Sequence, residues 1–168
     1  LIVSMLDQKL MRFSGGKLEA VGDLSALATG PCNDMVVDAK GRAYVGNFGF
    51  DRHKGEPERT AFIARVDPDG RVTKAADDLK FPNGTVITPD GKTLIVGETI
   101  GNRLTAFDVA ADGALSNRRV WAELAPRLPD GICLDAAGNV WVANPLAAEA
   151  FLVGQGGQVD RPLAEFHV

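Results

Sequence analysis

The chain has 168 residues, 45% of them hydrophobic and 24% charged, and a formal net charge of −4. That length can bury one sizeable core, and the mildly negative balance argues against a nucleic acid or an anionic membrane as partner. No apolar run approaches the ~18 residues of a membrane-spanning helix, and Cys32 and Cys133 stand too far apart for a CxxC motif.

The chain opens without an initiator Met on Leu1-Ile2-Val3, which matches Leu94-Ile95-Val96 further on, so it is expected to begin inside a structural unit. Lys9 to Val21 then reads as a hairpin around Ser14-Gly15-Gly16. From Asn33, a polar opening, an apolar strand, a glycine turn at Gly41 and a second apolar strand ending on Asn47 follow one another. The same phrase returns from Asn83, with Pro89-Asp90-Gly91 as turn and Glu98 as end, and from Asp130, with Gly138 as turn and Asn144 as end. The three openings, at 33, 83 and 130, lie 50 and then 47 residues apart, and each turn glycine follows its opening by eight positions. Outer hairpins follow each phrase: Ala61 to Lys74, Arg103 to Trp121 and Ala150 to Arg161.

Four short strands per period of about 40–50 residues, with no helical apolar stripe, predict an all-β protein of the β-propeller class. A closed ring takes about 4–8 blades. The chain is therefore expected to be part of a single larger propeller domain, with a partial blade at 1–30 and blades at about 31–79, 80–126 and 127–164.

In such a blade the first strand is innermost and antiparallel to the second. The start of the first and the end of the second share one face. Asn33, Asn83 and Asp130 are thus expected in one ring about the central channel, with Asn47, Glu98 and Asn144 slightly further out. The long connection from Phe48 to Thr60 leaves from the same face and is expected to overhang the channel mouth. Two readings of the ring stand. Converging amide and carboxylate oxygens suit a hard cation such as calcium or magnesium, while Asn-Gly and Pro-Asp-Gly are also ordinary turn formers.

At this point a resemblance enters. Phe81-Pro82-Asn83-Gly84 with Thr88-Pro89-Asp90-Gly91, Leu128 to Asp135 with Gly138 to Ala143, Asn33 to Asp38 with Gly41-Arg42, and Leu115 to Arg119 together resemble the SMP-30/gluconolactonase/luciferin-regenerating-enzyme family. The resemblance implies a six-bladed propeller, of which this chain covers roughly the middle three to four blades, that hydrolyses lactones with a divalent cation. Calcium is the expected ion, with zinc, magnesium and manganese as the other choices. It implies that Asn83 and Asp130 are metal ligands and that Asp130 transfers a proton. It points Asn33 toward the substrate or a metal-bound water, and Glu98, otherwise a solvated or blade-bridging acid, is set beside it as a second substrate-binding candidate. The cation would polarise the lactone carbonyl and lower the pKa of bound water. The family's third protein ligand, a glutamate of its first blade, has no counterpart in this sequence, and Pro31 stands where sugar-lactone members carry arginine.

His53 and His167 stand outside the ring and have no partner at metal-site spacing, so surface roles are expected for both. No Gly-Xaa-Ser-Xaa-Gly elbow is present, which disfavours serine chemistry. Cys32 is expected as a small buried filler, and Trp121 and Trp141 as packing between blades. The expected function is a metal-dependent lactonase acting on a small-molecule lactone, in the cytoplasm, without nucleic acid or membrane. A non-catalytic propeller binding a cation or ligand, and a scaffold holding a protein partner, are the other readings.

Overall fold

A computed structural model describes the backbone of residues 1–165 and the side chains of residues 1–160; His167 lies outside them. Apart from two short 3-10 turns, the regular structure is all antiparallel strand, as the hairpin repeat predicts. The first sheet is β1 (Ile2–Ser4), β2 (Lys9–Ser14) and β3 (Lys17–Asp23), and the second β4 (Cys32–Val37), β5 (Ala43–Asn47), β6 (Ala61–Val66) and β7 (Val72–Leu79). The third is β8 (Pro82–Ile87), β9 (Thr93–Glu98), β10 (Arg103–Val109) and β11 (Leu115–Glu123). The fourth is β12 (Ile132–Leu134), β13 (Val140–Asn144), β14 (Glu149–Val153) and β15 (Val159–Glu165). In every sheet spatial order equals chain order, the meander of a propeller blade.

The repeated turn is built by one mechanism. Gly41, Gly91 and Gly138 all take positive φ, between 70° and 83°, a left-handed conformation that a Cβ would penalise. Their amides donate to the carbonyls of Asp38, Thr88 and Asp135 at 2.8–3.1 Å. The side chains of those same residues accept further backbone amides of the turn: Asp38 from Arg42, Thr88 from Thr93, Asp135 from Asn139. Turn chemistry thus accounts for the distal glycines and their polar neighbours. Asn83 and Asp130 stand at the opposite ends of their hairpins.

The chain forms two compact units, Leu1–Pro82 and Asn83–Val168. In the first, Leu10 and Leu24 pack with Val45, Phe62 and Val66, joining the first sheet to the second. In the second, Ile95, Leu104 and Leu124 pack with Val140, Phe151 and Val153, joining the third sheet to the fourth. Trp121 packs against this core, whereas Trp141 lies half-buried on β13. Strand β5 is buried along its whole length and β9 along all but its first residue, which is why both read as near-continuous apolar runs.

Candidate metal and active site

In the second unit, β8 and the approach to β12 run close together. The amide of Gly84 donates to the carbonyl of Asp130 at 3.0 Å. A Cβ on Gly84 would lie 2.4 Å from the amide nitrogen of Ile132 and 2.5 Å from the carbonyl oxygen of Asp130. Only glycine permits that approach. It brings the Asn83 and Asp130 side chains together: Asn83 Nδ2 donates to Asp130 Oδ1 at 2.6 Å. Asn83 is buried and Asp130 half-buried. Asp130 itself precedes β12, its amide donating to the carbonyl of Ala143 at 3.0 Å.

Thr99, one residue past β9, completes the arrangement. Its hydroxyl donates to the carbonyl of Pro129 at 2.7 Å and accepts from Asn83 Nδ2 at 3.2 Å. With both hydrogens of Nδ2 engaged, Asn83 Oδ1 accepts no hydrogen bond from the described residues of its own unit, and neither does Asp130 Oδ2. Thr99 carries no signal in the sequence beyond its place at a strand end.

Asn33 belongs to the first unit, in β4. One extra residue of β4 lies between the pairs Cys32–Asn47 and Met35–Val45, so Asn33 sits in a β-bulge, a distortion that re-aims side chains beside functional sites. Its Nδ2 donates to the carbonyl of Pro82 at 3.2 Å. Gly46 faces the same proline, its notional Cβ 3.1 Å from the Pro82 oxygen. Gly97 and Pro129 repeat this joint in the second unit, at 3.2 Å.

The outer polar positions are engaged by the protein. Glu98 is fully buried, 0% exposed. It takes Arg103 Nε on Oε1 at 2.8 Å and Arg103 Nη2 on Oε2 at 3.1 Å, with Thr105 Oγ1 and Arg118 also on Oε1. Asn47 donates to the carbonyl of Phe62 and accepts from Gly49, and Asn144 donates to Glu149. In this arrangement Glu98 offers no surface to a substrate; it holds β9, β10 and β11 together.

The Phe48–Thr60 connection is folded onto its own unit. Asp51 caps the 3-10 turn Arg52–Lys54 through the amides of His53 and Lys54. Phe48 stacks on Phe81 with ring centroids 4.4 Å apart, Phe50 meets the same ring edge-on, and Arg52 lies over it at 5.8 Å. A cavity of about 480 Å³ opens beside this connection, lined by Gln8, Gly30, Pro31, Asp51, Lys54 and Glu56 among others.

Residues 2–164 match the family described as SMP-30/Gluconolactonase/LRE-like region. The chain belongs to that family. It is 34% identical to the pentonolactonase XacC of Haloferax volcanii over 117 residues, 67% of this chain and 38% of that protein. The gluconolactonase XC5397 of Xanthomonas campestris superposes with a TM-score of 0.72 at 28% identity, covering 91% of this chain and 54% of the other. A regucalcin of Agrobacterium tumefaciens, described as a calcium-binding protein, gives a TM-score of 0.78 at 26% identity over 93% of this chain and 54% of the other. The chain thus spans between about two fifths and just over half of the length of these relatives.

The donor set of the Asn83–Asp130 pair suits a hard divalent cation, which takes carboxylate and amide oxygens together with water. Among the described residues no group of three or more His, Cys, Asp and Glu side chains could hold a metal. An ion here would rest on one carboxylate and one amide, an arrangement that leaves most positions to water or to other donors. Among the described residues, too, no helix is long and apolar enough to cross a membrane.

Proposed function

We propose that the chain forms part of a metal-dependent hydrolase that opens a lactone, of the gluconolactonase or sugar-lactone lactonase type. The observation that carries this reading is the Asn83–Asp130 pair, which Gly84 brings to 2.6 Å with one oxygen of each side chain unengaged among the described residues of its own unit. Support comes from the pentonolactonase XacC and the gluconolactonase XC5397 among the relatives.

Asn83 Oδ1 and the Asp130 carboxylate would hold the cation, calcium first, with zinc, magnesium or manganese as alternatives. A bound divalent cation supplies Lewis-acid polarisation of the lactone carbonyl and a lowered pKa for water. Asp130 has the chemistry to take the proton of the attacking water and pass it to the ring oxygen. A bond forms between the water oxygen and the carbonyl carbon, the bond from that carbon to the ring oxygen breaks, and the product is a hydroxy acid. Asn33, on its β-bulge, is assigned to substrate binding. Glu98 acts behind the site by fixing the end of β9 that carries Thr99.

The test is turnover of a panel of sugar and aliphatic lactones by the intact protein, before and after chelation. Hydrolysis lost on chelation, restored by calcium or another divalent ion and abolished by Asp130→Asn supports the reading; full activity in that variant overturns the site. The calcium-binding description of the Agrobacterium regucalcin favours a second reading, a propeller that holds a divalent cation or ligand without turnover. Cation binding with silence across the panel would select it.

A further inference from the structure

We infer that Thr99 is a positioning residue for the candidate cation site: its hydroxyl sets which edge of the Asn83 amide faces an ion. The inference rests on the proposal that Asn83 and Asp130 hold a divalent cation.

An asparagine amide has two nearly isosteric edges, one that donates and one that accepts, and only the oxygen edge binds a cation. A ligand asparagine free to turn about its last bond would present the wrong edge part of the time. The surroundings of Asn83 remove that freedom. A hydroxyl has one hydrogen, and that of Thr99 points to the carbonyl of Pro129 at 2.7 Å. The Thr99 oxygen is left with lone pairs only, so the group 3.2 Å from it must be a donor, Nδ2. The second hydrogen of Nδ2 goes to Asp130 Oδ1, so the oxygen edge of the Asn83 amide is the one left without a hydrogen bond among the described residues of its unit. Pro129 is itself held, since it packs on Gly97 and is followed by the Gly84–Asp130 backbone bond. The hydroxyl thus works as a one-way relay, converting a fixed carbonyl into a fixed amide orientation.

The experiment measures manganese(II) affinity of the intact protein by electron paramagnetic resonance of the free ion, and calcium affinity by calorimetry. The variants are Thr99→Val, which keeps the shape and loses the hydroxyl, and Thr99→Ser, which keeps the hydroxyl. Loss of one oriented hydrogen bond is expected to weaken binding about tenfold in Thr99→Val, while Thr99→Ser stays within about threefold of the parent. A carboxylate has two equivalent oxygens and needs no such orientation. In an Asn83→Asp background, therefore, Thr99→Val is expected to change affinity by less than about threefold, which a double-mutant cycle reads directly. Equal weakening in both backgrounds would mean that Thr99 acts only as a clasp to Pro129 and overturns the inference. So would unchanged affinity in Thr99→Val, or Thr99→Ser as weak as Thr99→Val. A parent protein that binds neither ion overturns the cation proposal and the inference with it.

Discussion

The amide of Gly84 donates to the carbonyl of Asp130 across 3.0 Å, tying the first strand of one sheet to the residue that leads into the next. Nothing larger than hydrogen fits at Gly84. A Cβ there meets backbone atoms of residues 130–132 at 2.4–2.9 Å, and backbone cannot swing aside as a flexible side chain can. Gly84→Ala is expected to cost about 2–3 kcal/mol, the upper range for overpacking. A urea midpoint unchanged from the parent would contradict this close approach.

Glu98 and Arg103 form a second testable pair, a carboxylate with no exposure facing a guanidinium whose side chain is 26% exposed. Removing one partner of a buried pair strands the other charge, typically at about 3–5 kcal/mol. Arg103 is partly solvated and Arg118 also reaches Glu98, so Arg103→Met is expected to lose less, about 2–3 kcal/mol. Glu98→Gln keeps the shape and loses the charge, and should lower the thermal midpoint as well. A loss under about 0.5 kcal/mol in both variants, the size of an ordinary surface change, would place Glu98 outside the load path between β9, β10 and β11.

The thiols give a prediction that needs no ligand. Cys32 is fully buried and its thiol is pushed up to about 11 by burial, so at neutral pH it carries almost no thiolate, the reactive form. Cys133 is exposed. A thiol reagent at neutral pH should therefore label one cysteine per native chain and two in denaturant, with peptide mapping placing the native label on Cys133. Native labelling of Cys32 would refute the packing of β4 against the first sheet.

Acid should loosen the turns. Asp90 accepts from the Thr88 hydroxyl and the Lys92 amide, and Asp135 from Asn139 through both side chain and amide. These hydrogen bonds hold both carboxyls below their ordinary range. A folded value below the unfolded one means that the stabilisation is complete above the ordinary carboxylate value of about 4 and disappears as pH falls through the lower folded value. The urea midpoint should drop over that acid window. In Asp135→Asn the dependence should flatten, because the amide oxygen still accepts but no longer titrates. An unaltered slope would assign the acid sensitivity to other groups.

Much of the architecture was legible because it is written in local signals. Positive-φ glycines at 41, 91 and 138 sit at fixed spacing between apolar runs, and that spacing alone defines hairpins and their repeat. The opening positions Asn83 and Asp130 were legible as equivalents for the same reason. What brings them together was not, because the steric need at Gly84 arises only when a second strand lies against it. Glu98 shows the same limit more sharply. Read alone it is an acid at a strand end, which solvent, a bridge within the blades or a ligand would each explain. Its burial depends on Arg103 through the β9–β10 register and on Arg118 across β11, whose pairing with β10 shifts between Leu104 and Thr105. Thr99 was silent because a hydroxyl carries no periodicity; its role exists only through Pro129 and Asn83.

Because each sheet pairs only consecutive strands, the order of synthesis bears on when the candidate site comes into being. Closing a short hairpin loop is entropically cheap, and chains rich in such contacts order rapidly. The third sheet can thus complete its own hydrogen bonding as soon as Glu123 has left the ribosome. Asn83 at that stage has a place but no carboxylate beside it. The contact with Asp130 spans 47 positions and forms only once the fourth sheet has docked. A nascent chain halted between the two sheets would therefore carry ordered strands and half of the Asn83–Asp130 pair, and under the cation proposal ion affinity would mark the moment at which the later sheet arrives.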